Sequence, residues 1–478
     1  MKPRITDTPP QEDLFRSRLE NIISLRHPLV KLADSIDWAH LNEVPGEFHE
    51  EAVVGQPPKP TRLMAGLLYL KHTCGLSDDA LLERWVESPY FQYFCGETFF
   101  PHEPPMHPTS LTRYRKRLGR AGTEELLRVT IEAGKANEVI DERDMTEVAV
   151  GTTVMEKAIT CPTDARLCLK SLLCLNKQCR THGIVLRQSY TRTGKVLAQR
   201  VGRYAHARQY RRMRKVLKQL KGRLGRVVRD IERKTADWHA LPAALQQELA
   251  LARRRLEQQP RDKNRLCSLH APEVECISKG KAHKRYEFGV EVGIVTALNR
   301  PFVLAAHVLP NNPCDGHTLV WSLAHTRINT GVPLKTIVVD KGYRGPQVGW
   351  PGVEIVRPGQ RSRDAAHRRW RRSRLRRRSL VEALIGHMKN EGLLDRNWLK
   401  GSLGDAIHVL LCAAGQNLRL ILRALADFFA CAPSPASIAD QMHAGLQRFI
   451  EALWPYRQLS NARAQVNPLD EVIDHAFG

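Results

Sequence analysis

The hydrophobic period of this chain changes character at Thr146, and that change limits the folds open to it. Before it, apolar residues recur at steps of three and four, the spacing of helices. From Thr146 to Met155 they alternate among β-branched residues, the period of a strand with one buried face. Two further β-rich runs, Phe288–Ala297 and Phe302–Pro310, flank Leu298-Asn299-Arg300 and predict a hairpin. Asp315-Gly316-His317-Thr318 opens a helix that runs to Asn329-Thr330-Gly331. Lys335–Asp340 is a short buried strand and Val353–Val356 another, and a long helix covers about Ala366 to Asn390. Strand, hairpin, helix, strand, strand, helix predicts an α/β fold, a mixed sheet flanked by helices.

That order is the order of an RNase H-like core, split here over about 140–160 and 285–425. The intervening segment, 161–284, reads as a basic helical insertion. Its centre carries Met213, Leu217, Leu220, Leu224, Val227 and Ile231 at steps of three and four, as an amphipathic helix or a short coiled-coil hairpin would. Nearly every other position there is Arg or Lys, which fits a solvated basic face or a rail for a phosphate backbone. Residues 1–135 read as a helical domain, with one segment near Leu14–Leu29. A helix through Leu63, Leu67, Leu68 and Leu70 stops at Cys74-Gly75, and a second is capped by Ser77. A third follows Pro108, is capped by Thr109 or Ser110, and carries Arg113, Arg115, Lys116 and Arg117. Three helices with a basic last one fit a helix-turn-helix reader of the major groove, or an ordinary bundle with a charged face. Residues 426–478 form a C-terminal tail.

Charge narrows the function. Lys and Arg number 74 against 50 Asp and Glu, a formal +24, which suits a polyanionic partner. A membrane would need an apolar anchor as well, and none is visible. The stretch Ala406–Phe429 is interrupted by His408, Gln416, Asn417, Arg419 and Arg423, so it reads as a buried helix of a soluble protein. Eleven scattered cysteines without a CxxC pair fit reduced thiols in the cytoplasm, where a DNA partner would make the protein nucleoid-associated. Cys168, Cys174, Cys179 and His182 are clustered, but their spacing fits no common zinc knuckle.

Asp340 ends a hydrophobic strand and precedes Lys-Gly-Tyr-Arg-Gly. It reads as a turn aspartate capping its own loop, or as a metal ligand at the carboxyl end of a strand. On the following helix Arg378, Glu382 and Lys389 fall within about 40° of one another at 3.6 residues per turn. One carboxylate, flanked by Leu380, Leu384 and Ile385 and held between two cations, is expected to be partly buried and suits a metal-and-phosphate site. Asp315 is expected to cap its helix. Residues 361–378, dense in arginine and including Arg371, Arg372 and Arg374 around Trp370, fit contact with DNA backbone.

Four blocks now combine: Leu-His-Ala-Pro-Glu-Val-Glu-Cys-Ile-Ser-Lys-Gly-Lys at 269–281, Asn-Pro-Cys-Asp-Gly-His-Thr-Leu at 312–319, Asp-Lys-Gly-Tyr-Arg-Gly at 340–345 and Val-Glu-Ala-Leu-Ile-Gly-His-Met-Lys at 381–389. Together they resemble the signature blocks of bacterial insertion-sequence transposases of the DDE, RNase H-like superfamily, over roughly residues 15–425. The resemblance implies that Asp340 and Glu382 are the second and third catalytic acids and ligands of Mg²⁺, for which Mn²⁺ can substitute. It also implies that Arg378, Lys389, Tyr343 and Arg344 contact DNA. The family's first acid begins an Asp-Thr-Thr-Val block, and here that place is held by Gly151 in Val150-Gly151-Thr152-Thr153-Val154. Glu147 and Glu156 are poorly placed to replace it, one about 13 Å along the strand and the other on the opposite face.

The expected function is therefore DNA transposition, with cleavage and transfer of strands at the element's inverted-repeat ends and a homodimer on double-stranded DNA. The alternative is a catalytically inactive relic that still binds element ends, because Gly151 offers no ligand. A basic RNA-binding protein would not require the Glu382 carboxylate.

Overall fold

The computed structural model describes residues 17–43, 59–235, 241–259, 262, 264–280, 284–344, 350, 352–360 and 364–425. The tail from residue 426, the start of the Leu14–Leu29 segment and Gly345 lie outside them. Among the described residues seven strands form one sheet: β1 (Glu147–Lys157), β2 (Glu275–Ile277), β3 (Glu287–Ala297), β4 (Val303–Leu309), β5 (Thr336–Val338), β6 (Glu354–Val356) and β7 (Arg396–Asn397). Central β1 pairs antiparallel with β3, and β2 and β4 share the far edge of β3. On its other side β1 pairs parallel with β5, and β5 with β6. The mixed α/β architecture is the one the periodicity predicts. One difference is β2, which lies inside the segment expected to be helical insertion.

The expected single helix over 366–390 is two, Ala365–Arg377 and Ser379–Asn390. The first has no fully buried residue, whereas the second buries Val381, Leu384 and Met388. At the junction the Ser379 hydroxyl donates to the Arg376 carbonyl at 2.9 Å, a local bond that competes with helix continuity. Trp370 and Leu375 of the first helix and Val381 and Ile385 of the second close one apolar cluster with Ala149, Val338 and Val356 of the sheet.

Among the N-terminal helices, Thr61–Cys74 ends at Gly75, whose φ of 67° suits a residue without a Cβ. Ser77 caps Asp78–Glu87 by accepting from the Ala80 amide at 3.1 Å, as expected. The third helix differs: neither Thr109 nor Ser110 caps it, because Thr109 is its first residue and Pro108 precedes it. It runs to Ala136 with a break at Gly119 (φ 64°, ψ −167°). A further helix, Pro89–Phe94, lies between the second and third. The third helix is thus separated from the second by more than the tight turn of a helix-turn-helix.

The insertion is more than one hairpin. Helices Asp164–Thr181, Thr191–His206, Tyr210–Lys234 and Ala243–Glu257 enclose their own core. The predicted stripe is there, with Leu220, Leu224, Val227 and Ile231 at most 1% exposed. Cys168 and Cys179 are buried in this core among apolar side chains, and among the described residues they do not draw together with Cys174 and His182 into a ligand-sized group. Thr191–His206 and Tyr210–Lys234 are joined by a tight turn at Arg208, whose φ is 54°, as in the hairpin alternative.

The helix Gly401–Ala424 is buried along most of its length and joins the sheet to the N-terminal helices. Asn417 brackets β4 like a missing strand, accepting from the Val303 amide at 2.8 Å and donating to its carbonyl at 2.9 Å. Arg419, 1% exposed, donates to the carbonyls of His72 (3.0 Å), Thr73 (3.3 Å) and Glu391 (3.2 Å).

On the other face of the sheet His307 of β4 is buried against the Ser322 hydroxyl at 3.3 Å. Burial, with His325 and Arg120 nearby, pushes its pKa down to about 3. A histidine depressed from 6.5 leaves stability intact above about pH 6.5 and removes it as pH falls toward 3, by about 1.4 kcal/mol per unit. Urea titrations at pH 7 and pH 5.5 should show that loss, and His307→Gln should reduce it by about the same amount. An unchanged pH dependence in the variant would contradict the assignment.

Candidate functional site

Parallel pairing sets Glu147 beside Thr336, Val148 beside Ile337 and Ala149 beside Val338. Carried two residues further, that offset brings Gly151 level with Asp340. β5 ends before this point, and Asp340 opens a turn in which its carboxylate accepts from the Lys341 amide at 2.7 Å and its carbonyl from the Tyr343 amide at 3.2 Å. The helix Ser379–Asn390 crosses the same part of β1. A Cβ on Gly151 would lie 2.7 Å from Val381 Cγ1 and 3.6 Å from Ile385 Cδ1. Position 151 therefore faces the helix at the residue next to Glu382.

Arg378 links the two acids. Its Nη2 donates to Glu382 Oε1 at 2.9 Å, and its Nη1 lies 3.8 Å from Asp340 Oδ1. The side chains of Asp340 and Glu382 are 59% and 66% exposed, so these pairs contribute little to stability. What they provide is placement, with two carboxylates from separate elements meeting one cation at the carboxyl end of β5. Glu382 is not partly buried as expected. Val381, Leu384 and Met388 take the helix's inner positions, and Glu382 is left on its outer edge.

The expected DNA-contacting residues divide by burial. Arg113, Lys116, Arg117, Arg344 and Arg372 are exposed. Arg115 is 3% exposed and pairs with Asp78, which also holds Lys71 at 2.6 Å, so Arg115 is a core ion pair rather than a surface cation. Tyr343 is likewise buried, at 1%. Its phenol sits inside, where burial and the nearby Asp315 push its pKa up, and its carbonyl accepts from Arg357 at 2.8 Å. Lys389 does not join Arg378 and Glu382, since its Nζ donates to the Val154 carbonyl on β1 at 2.8 Å. Arg371 donates to the Arg357 carbonyl at 3.2 Å. Arg374 pairs with Glu147 at 2.9 Å and stacks over Trp370.

A second polar group was not anticipated. Cys314, not Asp315, is the N-cap of helix Asp315–Thr330. Asp315 instead packs on Gly342 of the Asp340 turn and accepts from the Thr152 hydroxyl at 3.5 Å. Lys279 donates to the same hydroxyl at 3.3 Å and pairs with Glu291, which is 1% exposed. Its sequence signal is Glu291 itself, a carboxylate within the apolar run Phe288–Val295.

Residues 17–117 match a family model described as Transposase domain (DUF772), and the match ends two residues before the break at Gly119. An uncharacterized protein, ORF8 in the nfe locus of Rhizobium meliloti, is 50% identical over 200 residues, covering 42% of this chain and 96% of that protein. The chain belongs to the same family as that protein, and its N-terminal helices carry a transposase domain. No solved structure matches. Among the described residues no helix is long and apolar enough to cross a membrane.

The contact at Gly151 is testable without any activity. Val381 is β-branched and cannot swing its methyl away freely, so Gly151→Ala should destabilise the protein by about 1–3 kcal/mol through overpacking. Adding Val381→Ala should recover part of that loss in a double-mutant cycle by chemical denaturation. Strict additivity of the two changes would show that they do not meet.

Proposed function

We propose that the chain is an insertion-sequence transposase of the DDE type whose catalytic centre lacks its first acid. The observation that carries this is the convergence of position 151, Asp340 and Glu382 on one end of the sheet. The spatial order β4-β3-β1-β5-β6, antiparallel on one side of β1 and parallel on the other, supports an RNase H-like core. In such a core three carboxylates from these elements hold two Mg²⁺ ions, which activate the attacking oxygen and stabilise the leaving one.

The residues present fit part of that arrangement. Asp340 and Glu382 offer two exposed carboxylates and suit one Mg²⁺ or Mn²⁺, an ion that relies on few protein ligands when phosphate completes its shell. They do not fit a pair of ions, since Gly151 supplies no oxygen and Val381 stands in the space its side chain would need. The catalytically inactive, DNA-binding reading is favoured over the active one on that ground. Arg378 would neutralise the two acids when no ion is bound and would turn to a phosphate oxygen when one is.

DNA binding is assigned to the basic surfaces. No acidic residue lies between Asp164 and Asp230, and Arg211, Arg212, Arg214 and Lys215 project from the insertion into solvent. Arg113, Lys116 and Arg117 form a smaller cationic face within the transposase domain. Target and inverted-repeat DNA are the proposed partners, bound by a homodimer.

Strand nicking of a labelled element end by the purified protein tests the catalytic part. The unmodified chain should bind the end and nick it poorly or not at all with Mg²⁺ or Mn²⁺. Gly151→Asp together with Val381→Ala should nick it, more strongly than Gly151→Asp alone, and Glu382→Gln should abolish that gain. Efficient nicking by the unmodified chain would remove Gly151 from the site. A second measurement addresses the electrostatics. Replacing Arg211, Arg212, Arg214 and Lys215 with Ala should make the log–log salt dependence of duplex binding shallower, by about 0.9 for each phosphate no longer neutralised. An unaltered slope would place the DNA elsewhere.

A further inference from the structure

His408 and Cys412 stand one turn apart on one face of helix Gly401–Ala424, and His72 of helix Thr61–Cys74 meets them. All three are buried, at 5%, 0% and 1% exposure. Cys412 Sγ is 3.6 Å from His72 Nδ1. The rings of His72 and His408 lie 5.5 Å apart at 66°, and one ligand atom from each of the three residues falls within 4.8 Å of the others. Among the described residues this is the one such group of His, Cys, Asp or Glu.

Two features make it more than a chance contact. His408 Nε2 donates to the Leu393 carbonyl at 2.9 Å, which leaves Nδ1 as the nitrogen with a free lone pair. A backbone carbonyl holding the other nitrogen is the usual device that orients a ligating imidazole. The second feature is the sulfur–nitrogen separation. Metal–sulfur bonds of about 2.3 Å and metal–nitrogen bonds of about 2.0–2.1 Å span roughly 3.6–3.8 Å between ligand atoms at tetrahedral or trigonal angles, and the distance found lies in that range.

We propose that His72, His408 and Cys412 form a three-coordinate site for copper(I). Thiolate and imidazole ligands select soft ions. The charge around the site selects a monovalent one: Lys71 and Arg115, both held by Asp78, and Arg419 all lie close to it. Copper(I) with one thiolate adds no net charge to this buried cationic setting, whereas zinc(II) with one thiolate adds a positive one. Among the described residues no fourth carboxylate, thiol or imidazole joins the group to offset it. On loading, the Cys412 thiol gives up its proton to solvent as the sulfur–copper bond forms, one proton per ion, with no change in oxidation state. The ion would tie the transposase domain to the helix that anchors the sheet.

The test uses the full chain with Cys431 and the thiols exposed among the described residues, Cys161, Cys276 and Cys314, replaced by Ser, so that surface sulfur does not compete. Copper(I) is presented anaerobically as its bicinchoninate complex. One equivalent should be withdrawn from the complex, with an ultraviolet thiolate-to-copper band and a rise in the thermal midpoint. Cys412→Ser in that background, verified as folded by circular dichroism, should lose the band and weaken binding at least tenfold, and His408→Asn should do the same. The proposal is overturned by three outcomes: failure of the folded parent to take up copper(I), uptake unchanged by Cys412→Ser, or tighter binding of zinc(II) than copper(I) at the trio. None of these readouts depends on DNA binding or cleavage.

Discussion

The fold depends on polar side chains buried along one largely apolar helix. Gly401–Ala424 places Asn417 against β4 and Arg419 among three carbonyls from the N-terminal helices and the end of the Glu382 helix. Burying an amide or a guanidinium is costly unless its hydrogen bonds are met. Here the carbonyls that Arg419 satisfies belong to elements remote in sequence, so the cost is offset only when all of them assemble. Burial lowers the Arg419 pKa, the expected mark of a charge held by dipoles more than by a carboxylate. The transposase domain and the sheet are thereby packed as one unit around this helix.

The candidate site inherits its geometry from that packing. β1 and β5 are set parallel by short pairing at 147–149 and 336–338, and Asp340 reaches the site because β5 stops two residues earlier. The helix Ser379–Asn390 is packed on β1 through Val381 and Ile385, and Glu382 follows because it is next to Val381. Glycine at 151 sets the packing of this junction, since it lets the helix approach more closely than a side chain would allow.

Cations serve two different purposes in this chain. Arg115, Arg255 and Arg419 are buried and paired with Asp78, Asp164 or backbone carbonyls. Arg113, Lys116, Arg117 and, in the insertion, Arg211, Arg212, Arg214 and Lys215 project into solvent. The formal charge of +24 thus overstates the surface available to a polyanion, though the stretch between Asp164 and Asp230 remains unbroken by acids.

The sequence by itself determined the mixed α/β class, the order of the main strands from β1 to β6 apart from β2, the Ser77 cap and the apolar stripe of the insertion. Each of these follows from local periodicity, capping chemistry or a motif, all of which act over a few residues. The tertiary structure alone decided which side chains are free. Arg113 and Arg115 are two residues apart on one basic helix, yet one is exposed and the other lies inside against Asp78. Lys389 shares a helical face with Glu382 but binds a β1 carbonyl. Tyr343 reads as a loop residue and is buried. Whether His72 meets His408 and Cys412 was likewise not legible, since those residues stand more than three hundred positions apart and come together only through helix packing. Burial and pairing depend on what a neighbouring element presents, and one-dimensional spacing carries no record of that.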